Sequence, residues 1–155
     1  MPDTPQTRRD IAGYRASARN LDLAVGQILQ AVEKNGLAEN TLIVSTTDHG
    51  LPFPQMKCNL TDSGWGVSLI IRGPAPFRGG KVCDALVSHV DIYPTITEMR
   101  GLKRPDWLEG KSLLPILRGE MKEVNDEVFA EVNFHASYEP KRAVRTQRYK
   151  VHPPL

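Results

Sequence analysis

The segment that most constrains this chain is Thr41-Leu42-Ile43-Val44-Ser45-Thr46. It is β-branched and apolar almost throughout, and it does not alternate. A run of this kind suits a strand buried on both faces, as in a parallel sheet. What precedes it fits. Thr4-Pro5 reads as an N-cap followed by proline in the first helical turn. A helix then runs to about Asn35, with Tyr14, Leu21, Val25, Ile28, Leu29 and Val32 recurring near the helical period. Gly36 suits its C-terminal cap. Long helix, glycine and buried strand make half of a β-α-β unit, so the fold class expected is α/β.

The remainder extends that reading. From residue 48 to 66 the pattern breaks into Gly, Pro, Asn, Asp and Ser. A loop of that length is often functional. Residues 67–71 read as a second buried strand, and 73–80 as a Pro/Gly surface segment. Asp91 is expected to cap a short helix through Met99, ended by Gly101, with Pro94 tolerated in its first turn. Residues 103–121 read as irregular, with Trp107, Leu113, Leu114 and Leu117 as packing anchors. Residues 127–132 alternate in part and 142–151 read as another strand. No helix separates those two, so an antiparallel pair is expected. The whole is a partial parallel, doubly wound sheet with flanking helices over residues 1–118, followed by the start of a small antiparallel C-terminal β subdomain over 119–155.

Composition limits the function classes. Hydrophobic residues make up 40% of the 155 and charged residues 25%, a globular balance. The net charge of +2 gives no case for nucleic acid or an anionic membrane. Lys141, Arg142, Arg145, Arg148 and Lys150 are the densest basic cluster, and they read as the solvated face of a strand pair. Two cysteines, Cys58 and Cys83, leave two free thiols or one bridge open. Cys83 reads as a packed thiol. No apolar run approaches the ~20 residues of a membrane span. The start of the chain is polar and unlike a signal peptide, which implies the cytoplasm if the gene also begins there.

The sharpest local feature is Asp48-His49-Gly50, directly after the first buried strand. Ligand sites in open α/β sheets lie at the carboxyl ends of strands. A carboxylate and an imidazole there can hold a cation, and Gly50 lets the backbone turn so that both face one way. The plainer alternative is a turn-capping aspartate beside a surface histidine. Lys57 follows in the same loop, and a flexible ammonium can reach back to an anion held by the cation. An ordinary solvated lysine is its alternative. Ser88, His89 and Asp91 are too close in sequence for a triad, because their side chains diverge.

The motifs also resemble a known family. Thr46-Thr47-Asp48-His49-Gly50, Lys57, Gly64 and Leu69-Ile70-Ile71 look like the segment of a type I sulfatase, in the alkaline phosphatase superfamily, that supplies the later metal ligands. Leu21 to Leu29 and Gly36 to Leu42 resemble the helix and strand before it. Val87-Ser88-His89-Val90-Asp91-Ile92-Tyr93-Pro94-Thr95 and Leu108-Glu109-Gly110-Lys111-Ser112-Leu113-Leu114-Pro115 resemble its sequel. Gly50 to Pro54 and Tyr138 to Arg145 are similar to the heparan N-sulfatase (sulfamidase) branch.

That resemblance implies roles. Asp48 and His49 fall on divalent-metal positions, usually calcium; the nitrogen of His49 leaves magnesium or manganese open. Lys57 falls on the basic residue that contacts sulfate and nucleophile, a catalytic and substrate-binding position. His135 falls where the later subdomain contributes to the substrate pocket. The implied substrate is a sulfated small molecule or glycan. The formylglycine motif of the family, Cys/Ser-x-Pro/Ala-x-Arg, matches neither Cys58-Asn59-Leu60-Thr61-Asp62 nor Cys83-Asp84-Ala85-Leu86-Val87, so no nucleophile is assigned. The expected function is a sulfatase C-terminal fragment without turnover of its own. The alternatives are a phosphatase or phosphonate hydrolase of the superfamily, or a non-catalytic binding module or truncated product that self-associates through exposed strand faces.

Overall fold

The computed structural model describes residues 1–74, 77, 79–135 and 137–151. The first element is helix α1, Pro5–Lys34. Its start follows from the cap: the hydroxyl of Thr4 accepts from the Thr7 N–H at 3.2 Å. Its end follows from Gly36, at φ +69, where the chain turns left-handed. The expected helix is therefore present at its expected bounds. Its apolar stripe is only partly covered: Val25, Leu29 and Val32 are half-buried, and no residue of α1 is fully buried. Leu21, Leu23 and Ile28 are each more than 60% exposed.

Strands β1, Ile43–Thr46, and β2, Leu69–Arg72, follow the two apolar runs. They pair with each other antiparallel, Ile43 opposite Arg72 and Thr46 opposite Leu69. The expected parallel pairing does not occur between them, and neither strand is buried on both faces. An unalternating run signals apolar neighbours but not strand direction. The long connection between them is not structureless. It folds into successive turns and one helical turn, α2, Asp62–Trp65.

The best-packed part of the chain lies further on. A 3-10 turn, His89–Asp91, runs straight into α3, Ile92–Met99. A second short helix, α4, Leu114–Arg118, sits inside the stretch expected to be irregular and ends at Gly119, at φ +77. Leu113 and Leu114 are buried as expected, and Leu114 is fully shielded, a burial that stabilises by about 1.5–3 kcal/mol. Trp107 is not an anchor; it is 72% exposed and stacks obliquely on Tyr93. Cys83 is exposed rather than packed, because the segment around it crosses open surface; the other thiol, Cys58, is half-buried, and both are free. The segment 73–80 falls partly outside the described residues.

Asp91 departs from its expected role. It occupies the cap position of α3 but makes no side-chain cap bond there. Its carboxylate, 1% exposed, instead takes three hydrogen bonds of 2.8 Å, from the N–H groups of Ser88 and Lys111 and the amide of Asn125. Gly110 permits the approach of the Lys111 backbone, since a Cβ at residue 110 would lie 2.0 Å from the Val90 carbonyl oxygen.

The C-terminal strands form a separate antiparallel sheet in the order β3-β4-β5. These are Glu127–Phe134, Tyr138–Thr146 and Lys150–Val151. The antiparallel expectation holds. The single strand expected over 142–151 is two strands joined by a turn, with the Thr146 N–H donating to the Tyr149 carbonyl at 2.8 Å. The architecture is mixed α/β with two small antiparallel sheets.

Candidate functional site

The site begins where β1 ends. The Thr46 hydroxyl donates to the Ser68 carbonyl at 2.6 Å and meets His89 Nε2 at 2.6 Å. With its one proton given to Ser68, the hydroxyl can only accept from that ring nitrogen. The strand end is thus tied both to the approach of β2 and to the turn before α3.

Asp48 and His49 follow. Their side chains are together, with Asp48 Oδ1 and His49 Nε2 3.6 Å apart. His49 Nδ1 lies 2.7 Å from the Gly50 carbonyl oxygen. That oxygen only accepts, so Nδ1 carries the proton. In the neutral ring, Nε2 then presents a lone pair beside the carboxylate. Asp48 is 88% exposed and His49 35%. Two donors at that spacing fit two positions on one divalent cation, and the rest of its coordination shell would come from elsewhere. Among the described residues, no group of three or more His, Cys, Asp and Glu side chains gathers around a common point.

Gly50 acts through close approach rather than through an unusual turn. A Cβ there would lie 1.9 Å from the Ser63 carbonyl oxygen. The gap lets the Gly50 N–H donate to Gly64 at 2.8 Å and the Leu51 N–H to Ser63 at 3.1 Å. Gly64 is equally confined, with Asn59 and Met56 carbonyl oxygens 2.1 and 2.3 Å from where a Cβ would stand. The loop is therefore folded back onto its own start. Within it the Lys57 N–H donates to the Leu51 carbonyl at 3.0 Å. The backbone of Lys57 is thereby held three residues from Asp48, and its side chain is half-buried. His135 is not drawn in. It lies exposed at the tip of the β3–β4 hairpin, where its N–H pairs with the Ser137 carbonyl at 3.4 Å. None of its hydrogen bonds among the described residues reaches the loop.

The basic cluster of the C-terminal strands is not simply a solvated face. The Lys141 ammonium donates to Asn59 Oδ1 at 3.2 Å, and Arg145 and Lys150 both reach Asp62 Oδ1 at 2.9 Å. Lys141 and Lys150 are only 17% and 13% exposed. The Lys150 hydrogen bond leads the forces that hold the Asp62 carboxyl below the usual carboxylate range. Slight burial opposes it, and the charges of Lys150 and Arg145 reinforce it. Asn59 and Asp62 carry no motif of their own, so nothing in the loop marked them as contacts.

A sulfatase family model matches residues 2–102. The chain belongs to the sulfatase family. A second model, of the C-terminal part of N-sulphoglucosamine sulphohydrolase, matches residues 56–152. Human N-sulphoglucosamine sulphohydrolase is 32% identical over 97% of this chain and 32% of its own length. A solved 2-O GAG sulfatase is 29% identical, with a TM-score of 0.80 over 94% of this chain and 34% of its own. A solved complex of a relative with its substrate, D-glucosamine-2-N,6-O-disulfate, is 25% identical, with a TM-score of 0.75 over 88% of this chain and 30% of its own. The chain corresponds to the C-terminal portion of a sulfamidase-like type I sulfatase and spans about a third of the length of these relatives. No helix among the described residues is long and apolar enough to cross a membrane.

Proposed function

We propose that this chain supplies the metal-and-anion half of a site that hydrolyses sulfate esters or sulfamates. The carrying observation is the doubled-back loop. Gly50 and Gly64 close it, and the Lys57 backbone is bonded to Leu51 beside the Asp48–His49 pair. In this reading Asp48 and His49 provide two ligands to a divalent cation, calcium in the first place, with magnesium or manganese compatible with the imidazole nitrogen. The cation would neutralise charge on the sulfate oxygens. Lys57 adds a positive charge on the same oxygens and steadies the charge that builds during S–O or S–N cleavage. The nucleophile and the remaining ligands belong to a part of the sulfatase fold that this chain does not contain.

The same reading covers the architecture. The β1–β2 pair would be one margin of a larger doubly wound sheet, whose further strands would cover the exposed apolar residues of α1. Residues 1–118 belong to that α/β domain and 119–155 open the smaller subdomain, with His135 at its rim toward the substrate. A sulfated sugar is the substrate class, supported by the glucosamine disulfate bound to one relative. The family match favours sulfate over phosphate as the transferred group.

Calorimetric titration of the chain with calcium or manganese, and then with inorganic sulfate, tests this. Two protein ligands imply weak, millimolar-range binding of the metal. Asp48→Asn should abolish both heats, and Lys57→Ala should abolish only that of sulfate. Equal sulfate heats for wild type and Lys57→Ala would sink the assignment of Lys57. The chain alone should not turn over an aryl sulfate.

A further inference from the structure

The loop from Gly50 to Gly64 is held twice. Its own backbone closes it, as described above, and the C-terminal sheet grips it from outside. Lys141, Ala143 and Arg145 alternate onto one face of β4, and Ala143 on that face is buried. Lys150 of β5 stands directly opposite Arg145. The three cations of this face meet the loop at two points, Asn59 and Asp62, more than 80 residues away in sequence. The Lys150 ammonium also lies over the Trp65 ring, 4.5 Å from its centroid.

We propose that Lys141 and Lys150, with Arg145 and Asp62, are positioning residues for the anion-binding lysine, so that the C-terminal sheet sets the geometry of the metal-and-anion loop. This rests on the reading of Lys57 as an oxyanion contact. The path is short at both points. Asn59 is two residues from Lys57. Asp62 adjoins Ser63 and Gly64, whose carbonyl groups accept from Leu51 and Gly50. Movement of Asp62 is therefore passed within one or two peptides to the backbone that follows Asp48 and His49. A lysine usually leaves its ammonium in water, and holding the chain still costs rotamer freedom. Two lysines less than a fifth exposed are the opposite of a solvated face: Lys150 ends on Asp62 at 2.9 Å, and Lys141 is shared between Asn59 at 3.2 Å and Glu139 of its own strand at 2.9 Å. Asp62 itself is 73% exposed, and exposed ion pairs add little to global stability. Loss of the grip should thus shift the loop without unfolding the chain.

Cys58 provides the readout, since it sits between Lys57 and Asn59 at φ +65. In a Cys83→Ser background it is the one thiol, and its alkylation by iodoacetamide can be timed for wild type, Lys141→Met, Lys150→Met and Asp62→Asn. Thermal midpoints are measured beside it. Acylation of Lys57 by acetic anhydride, with and without calcium and inorganic sulfate, is followed by mass spectrometry. Local opening should raise the Cys58 rate by roughly tenfold in each variant while the midpoint stays within a few degrees. Lys150→Arg should restore the wild-type rate, and sulfate protection of Lys57 should fall in the three variants. An unchanged Cys58 rate overturns the proposal, and so does a rise matched by global destabilisation. Undiminished sulfate protection in the variants overturns it as well. If sulfate fails to protect Lys57 even in the wild type, the oxyanion reading of Lys57 is lost, and the Cys58 rates still decide whether the sheet positions the loop.

Discussion

Asp91→Asn should be among the most destabilising isosteric changes in this chain. The carboxylate is 1% exposed and accepts from three donors at 2.8 Å, Ser88 and Asn125 on Oδ2 and Lys111 on Oδ1. Asparagine keeps the shape but turns one oxygen into an NH2. Its best rotamer leaves the oxygen facing Ser88 and Asn125 and sets the NH2 against the Lys111 N–H. Two donors then face each other with no acceptor, which costs about 1–3 kcal/mol. The two surviving bonds drop from charge-assisted to neutral, about 1 kcal/mol each. The sum is about 3–5 kcal/mol, a large share of the 5–15 kcal/mol typical of a whole domain. At a urea slope of ~2 kcal/mol/M the midpoint should fall by roughly 2 M.

The measurement is urea unfolding followed by tryptophan fluorescence, with exposed Asp106→Asn as the matched control. The control should move by less than ~0.5 kcal/mol. If Asp91→Asn also stays within that margin, the three donors do not depend on the carboxylate and the reasoning fails. The outcome matters for the site as well. His89, whose ring meets Thr46 at the end of β1, lies in the 3-10 turn that Asp91 closes in a capping box with Ser88. A weakened turn should loosen the strand end that leads to Asp48.

Three further outcomes follow from the same geometry. Gly64→Ala places a methyl group 2.1 Å from the Asn59 carbonyl oxygen, so amide hydrogen exchange across residues 50–64 should rise by at least tenfold while exchange in α3 is unchanged. Asp62 has its folded pKa depressed below its ordinary value near 3.8, so its contribution to stability is present above that value and is lost as pH falls through the folded one. Asp62→Asn should therefore melt slightly lower than wild type at pH 7, by less than about 1 kcal/mol because the carboxylate is mostly exposed, and the gap should close in strong acid. Leu21, Leu23, Ile28 and Ile70 leave apolar surface uncovered, so sedimentation velocity should show self-association, and a single monodisperse monomer at high concentration would contradict that.

What the sequence revealed was local, and what it hid was long-range. Helix α1 could be read at both ends because its cap and its terminating glycine act within a few residues. Asp48 and His49 could be paired because they are neighbours at a strand end. The direction of β1 against β2 could not be read, since an apolar run states only that its neighbours are apolar. Lys141, Arg145 and Lys150 look solvated in the sequence for a deeper reason. Alternation in β4 shows that Lys141 and Arg145 share a face with Ala143, but it cannot say what covers that face. The cations of that face reach the site loop, and the contacts fall on Asn59 and Asp62, two residues of ordinary polar type. A charge set against a distant loop looks the same in sequence as a charge set against water. What separates the two is exposure: the Lys150 side chain is 13% exposed, and its ammonium lies 2.9 Å from Asp62 of the loop.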